Sequence, residues 1–185
     1  MKTGLILTIA SATLILLPCL HAADNEKSAA SAEATQKNQD STELARMKSL
    51  VGKWTGETDM GEGPIQMTVE YRILAGGSVL EERCFIGTPN EMVTMYYDQN
   101  GKLAMKHYCL FGNRPGMLLK SADAKTIEFD FDPTCGIDPK TESHMHALKI
   151  TFDDANTITT SCLAMMDGKP MPENPMTLKR VANRH

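Results

Sequence analysis

Ile65-Gln66-Met67-Thr68-Val69-Glu70-Tyr71-Arg72-Ile73 alternates without a slip. Ile65, Met67, Val69, Tyr71 and Ile73 are apolar, and Gln66, Thr68, Glu70 and Arg72 stand between them. A period of two places one set on each face of a strand, so this stretch predicts a strand with one dry face and one wet face. The pattern recurs. Ile127, Phe129 and Phe131 alternate with Glu128, Asp130 and Asp132, and Leu148, Ile150 and Phe152 with Lys149, Thr151 and Asp153. Turn chemistry separates the runs at Ala75-Gly76-Gly77, Asp98-Gln99-Asn100-Gly101, Asp153-Asp154-Ala155-Asn156 and Asp167-Gly168. Asn and Gly tolerate the positive φ that tight hairpins need.

About ten strands follow from this punctuation, near residues 53–60, 64–74, 78–86, 91–97, 102–111, 116–121, 126–132, 144–153, 156–166 and 175–182. Short connections between successive strands predict an antiparallel meander. A meander that long carries two exposed edges unless it closes, so the expected fold is all-β, an up-and-down β-barrel. A short helix precedes it. Leu44, Met47 and Val51 recur at helical spacing, with Asp40 as the expected cap, Glu43 as its capping-box partner and Gly52 as the stop. The helix is expected to plug or flank one end of the barrel.

The 185 residues are 42% hydrophobic and 23% charged, which suits one globular domain and disfavours a mostly disordered chain. The formal charge of -4 offers no basic face for nucleic acid. The first residues read differently from the rest. Lys2 is followed by an apolar run from Leu5 to Leu17, ended by Pro18, with small residues at Ala22 and Ala23. The run is too short to span a bilayer and fits a secretory signal peptide. Residues 1–22 are therefore expected to be removed on export to the periplasm or the medium, with a lipid anchor on Cys19 as the alternative. Residues 23–40 contain no apolar side chain larger than alanine and are expected to be a disordered linker. The domain then spans 41–185. No second long apolar run exists, so no membrane-spanning helix is expected in it.

Gly52-Lys53-Trp54-Thr55-Gly56 resembles the Gly-x-Trp start of the lipocalin and fatty-acid-binding (calycin) barrels, and more closely the Gly-x-Trp-x-Gly of nitrobindin-like haem barrels. Further segments are similar to a family of secreted bacterial proteins of unknown function with a lipocalin-like barrel. These are Gly76 to Glu82, Glu91 to Thr94, His107-Tyr108-Cys109 followed by Gly112-Asn113, and His144-Met145-His146. The resemblance implies a barrel and a cavity, and it lends no activity. The haem barrels ligate iron through a late histidine, to which neither His144 nor His146 aligns securely.

The residues that could carry chemistry are imidazoles. In the strand at 102–111, Leu103, Met105, His107, Cys109 and Phe111 share a face and Lys106 takes the other, so His107 is expected to point inward. His144 and His146 share a face with Leu148, Ile150 and Phe152 and are expected to do the same. Three inward imidazoles could offer three nitrogens to a divalent metal or to haem iron, as catalytic zinc sites do. Glu82 would then serve as a fourth ligand or as the carboxylate that orients a ligand histidine. The same side chains equally suit a metal-free polar pocket, bonded to each other, to Glu82 or to Tyr96, and His144 could instead face solvent. Arg114, just past that strand, could hold an anionic group at the barrel mouth or be an ordinary loop arginine. One of Tyr96 and Tyr97 should face inward.

Cys84, Cys109, Cys135 and Cys162 remain after the leader. They are expected to be mostly free, buried thiols, with one disulfide as the alternative. Met67, Met92 and Met105 are expected to line the interior. Three readings of function follow. The first is a binder of a small, partly apolar molecule on a polar floor of His107, His144, His146 and Glu82. The second is a metal-dependent hydrolase or lyase at the same cluster. The third is a structural or partner-binding envelope protein whose cavity is filled.

Overall fold

The structure is a computed structural model and describes residues 39–59 and 63–182. The expected signal peptide, the acceptor Cys19 and nearly all of the linker lie outside the described residues.

Ser41 begins the helix, and Asp40 does not. The Ser41 hydroxyl accepts the Leu44 amide at 3.0 Å, and helix α1 runs Thr42–Lys48. A serine oxygen at this position satisfies one of the amides that every helix start leaves unpaired. Asp98 fixes Ser41 in turn, accepting its amide at 2.6 Å and its hydroxyl at 2.7 Å. Asp40 instead pairs with Lys48 at 2.6 Å. The helix ends at Ser49, three residues before Gly52.

The strands are β1 Gly52–Asp59, β2 Pro64–Leu74, β3 Val79–Cys84, β4 Met92–Gln99, β5 Lys102–Tyr108, β6 Gly116–Ala122, β7 Thr126–Phe131, β8 His144–Asp154, β9 Thr157–Met166, β10 Lys169–Pro170 and β11 Met176–Arg180. They pair in the order β10-β9-β11-β1-β2-β3-β4-β5-β6-β7-β8, and β8 pairs back onto β9. That last pairing closes the sheet. Strand β10 only adds two residues to the edge of β9, so ten strands form the wall of an antiparallel barrel. The all-β, up-and-down barrel expected from the alternation is the fold observed.

Several boundaries are shorter than the alternation suggested. Strand β3 stops at Cys84, so Ile86 is outside it. Strand β5 stops at Tyr108, where Cys109 turns the chain by bonding its amide to the Asn113 carbonyl at 3.1 Å. Phe111 consequently lies exposed in a loop and not on the inner face. In β2 the middle of the quoted stretch is buried, at Met67, Val69 and Tyr71, while Ile65 and Ile73 near the strand ends are exposed.

The Gly-x-Trp-x-Gly stretch sits where the barrel closes. Gly52 holds φ +124°, a value side-chain-bearing residues rarely adopt. A Cβ on Gly56 would meet the Thr177 carbonyl oxygen at 2.5 Å, so only glycine lets β1 lie this close to β11. Trp54 between them is fully buried and donates its indole N–H to the Leu50 carbonyl at 2.8 Å. The Arg180 guanidinium lies 4.3 Å over the indole ring and bonds the carbonyls of Ser49 and Val51. One arginine thus ties the last strand to the segment between helix and barrel.

Helix α1 packs against β2, β3, β4 and β5 and buries Leu44 and Met47. Lys48 bonds the Gly77 carbonyl, and Arg46 bonds the carbonyls of Asp123 and Thr126 while stacking 4.8 Å over Phe152. These partners belong to the β2–β3 turn, the β6–β7 turn and the end of β8. The helix therefore plugs one end of the barrel. Leu44, Met47, Leu50, Trp54, Leu80, Leu103, Ile127, Ile158 and others fill that half.

Candidate functional site

The other half of the barrel holds a cavity of about 290 Å³. Its wall is apolar and rich in sulfur, with Met67, Met92, Met145, Met176, Cys84 and Cys162 among its residues. Small-molecule sites combine such walls with a few convergent polar groups. Here three of those groups come from one row of the sheet, and Thr58, Asp59, Thr160 and Asn174 stand elsewhere on the lining. Tyr71 on β2 stands opposite Glu82 on β3, Glu82 opposite Thr94 on β4, and Thr94 opposite His107 on β5. Adjacent strands lie ~4.8 Å apart, so the row spans about 14 Å of the inner face. Tyr71, Glu82 and His107 all line the cavity.

Each member of the row is hydrogen-bonded. The Tyr96 hydroxyl, buried on the plugged side, donates to Glu82 Oε2 at 2.7 Å. Tyr71, directly across from Glu82 on the neighbouring strand, brings a second phenol to the same carboxyl. Burial raises the Glu82 pKa above the usual carboxylate range, and the two phenols oppose that rise. Both phenols are pushed well above their ordinary range, first by burial and then by the Glu82 charge. They remain donors at any pH the fold will meet. Thr94 Oγ1 and His107 Nδ1 are 2.9 Å apart, both nearly inaccessible. Burial pushes the His107 pKa down to about 4, so the imidazole is neutral at neutral pH. The Cys84 thiol is pushed up by burial and then by Glu82, and Cys162, also by burial, to about 12. Both are protonated, apolar thiols. The cysteines at 84, 109, 135 and 162 are all free.

The three histidines do not converge. His107 lines the cavity, and His144 and His146 do not. The reason is a bulge. Strand β8 pairs Met145 with Ala164 but Ala147 with Leu163, leaving His146 as the extra residue. An inserted residue reverses which positions face inward. Met145 therefore reaches the cavity together with Leu148 and Ile150, in place of the histidines. His144 is fully buried nonetheless. Its Nδ1 donates to the Glu142 carbonyl at 2.7 Å, which leaves Nε2 to accept from His146 Nδ1 at 2.9 Å. The His146 ring stacks on Phe131 at 5.2 Å, and the His144 ring lies 4.7 Å from it. The pair is a packed aromatic cluster whose facing nitrogens are already used. Among the described residues no three His, Cys, Asp or Glu side chains stand together as a metal site. The arrangement drawn from His107, His144 and His146, for a divalent metal or haem iron, is not the one the fold builds.

Arg114 is exposed in the loop after β5 and does not line the cavity. Tyr96 is the inward member of its pair and acts through Glu82 from behind the cavity wall. The alternation missed Tyr71 and Thr94 as site residues. A signal for Thr94 was present: the Asn100-Gly101 turn sets Gln99 opposite Lys102, and that register brings Thr94 to His107. Phe85 also lines the cavity and holds φ +53°. A left-handed conformation at such a side chain costs roughly 1–2 kcal/mol, and here it places the ring at the wall just past β3.

No protein-family model and no curated protein matches the chain. Among solved structures it is similar to a redesigned β-barrel, at 12% identity and a TM-score of 0.34, over 73% of this chain and 94% of that one. It is likewise similar to EF1p2_mFAP2b, solved bound to DFHBI, at 12% identity and a TM-score of 0.36, over 73% of this chain and 96% of that one.

Proposed function

We propose that this protein is an exported β-barrel that binds one small, partly apolar molecule inside the barrel. Glu82, Tyr71 and His107 form the polar floor, backed by Tyr96 and Thr94. The observation that carries this reading is the polar row at the base of a predominantly apolar cavity. Buried polar groups weaken a core that has no use for them, and a half-filled barrel forgoes packing contacts that a solid one would gain. Both costs are met together here, at one place. The cavity of about 290 Å³ suits a ligand below drug size. The resemblance of the sequence to secreted lipocalin-like proteins agrees with this reading, and so does the apolar leader at Leu5 to Leu17.

Titration with an environment-sensitive apolar dye tests it. The expected result is saturable binding at one site per chain. Ala164 lines the cavity, so Ala164→Phe should abolish the signal while leaving the β-sheet circular dichroism unchanged. No binding by the folded wild-type protein, or equal binding by Ala164→Phe, overturns the proposal.

A further inference from the structure

The side chains lining the cavity are unbalanced in charge. Glu82 stands at its floor, and among the described residues no Lys or Arg lines it. Arg114, the arginine expected at the barrel mouth, is exposed and does not line it. His107 supplies no positive charge, because burial keeps its imidazole neutral. Each buried donor that could have neutralised Glu82 from the protein side is an uncharged phenol. A carboxylate offers about four lone-pair sites, and two phenols leave room for another donor.

From this we propose, resting on the ligand-binding reading above, that the cavity selects apolar molecules bearing a protonated amine and rejects apolar carboxylates. The ammonium would bond Glu82, while Met67, Met92, Met145 and Met176 enclose the hydrocarbon part. Thioether side chains adapt to varied apolar shapes. A carboxylate in the same place would lose its hydration, face Glu82 and find no cation. Burial raises the Glu82 pKa, and a bound ammonium opposes that rise and holds the group as a carboxylate, so an amine gains a charge-assisted bond in an apolar enclosure. Of the common lipid-like anions and cations, only the cation is complementary to this floor.

Octylamine, octan-1-ol and octanoate share one hydrocarbon chain and differ only at the head. Each is to displace the apolar dye from wild-type protein and from Glu82→Gln, with Ala164→Phe as the control for binding elsewhere on an acidic protein. Octylamine is expected to displace the dye at a concentration about ten-fold below octan-1-ol, with octanoate weakest. Glu82→Gln should bring amine and alcohol together and leave the alcohol's own value within about two-fold. The inference is overturned if octanoate competes as well as octylamine, or if Glu82→Gln leaves the amine's advantage intact. The wild-type ranking decides the matter even where the variant fails to fold. A dye that binds but ranks the three heads equally sinks the amine preference alone. A dye that never binds sinks the ligand-binding reading instead.

Discussion

At the scale of single residues, His107 and Glu82 share one row but titrate in opposite senses. An unfolded chain protonates its histidine near the ordinary 6.5, whereas folded His107 resists until about 4. Between those values the unfolded state binds more protons, so this residue makes the fold less stable as pH falls. The loss amounts to on the order of 3 kcal/mol and levels off below pH 4. Glu82 acts the other way. Its folded pKa is raised from 4.5, so its contribution is full below that value and is lost as pH rises through the folded one. Gln can keep a bond to Thr94 without titrating. Thermal melts of His107→Gln across pH 4 to 6.5 are therefore expected to decline less steeply on acidification than those of the wild type, the remaining decline coming from carboxylates such as Asp123 and Glu128 whose folded pKa values are lowered. Parallel curves for the two proteins would refute the burial of a neutral imidazole. The inward direction of His107 was legible in the alternation with Lys106, because lysine must reach water. Its company was not, because Glu82 and Tyr71 come from strands that pair with it only through the folded register.

At the scale of elements, the closing seam between β1 and β11 and the bulge in β8 decide most. The seam is visible in sequence only as Gly-x-Trp-x-Gly. Its physical content is that a Cβ at Gly56 would press 2.5 Å from a backbone oxygen, which cannot move aside as a side chain would. Gly56→Ala is expected to cost about 1–3 kcal/mol, in the range of overpacked sites, measured by denaturant unfolding. A neutral substitution would mean the two strands separate freely. The bulge could not be read at all. His144-Met145-His146 alternates as well as any strand, and the extra residue shows only in the register against β9. A slip of one position moved both histidines off the cavity wall and put a methionine there. The helix cap erred by one residue for a related reason. Asp40 and Ser41 are both good caps, and Asp98 from a distant strand end chose Ser41.

At the scale of the whole molecule, the barrel is half core and half container. The plugged half, around Trp54 and Leu44, holds the fold together, and the open half carries the cavity. The proposed export belongs to this scale too. Expression in a bacterial host with a secretory pathway should yield a processed chain beginning at Ala23, seen by intact mass. Retention of residues 1–22, or a lipid on Cys19, would overturn soluble export. The sequence by itself determined the strand count, the antiparallel order and the all-β class. Period-two alternation and turn residues are local properties, and short loops leave few ways to connect neighbours. The tertiary structure alone decided which side chains meet. Cross-strand register, one bulge and the closure of β8 onto β9 join residues tens of positions apart, and no local pattern encodes those distances. They gathered Tyr71, Glu82, Thr94 and His107 into one row and sent His144 and His146 elsewhere.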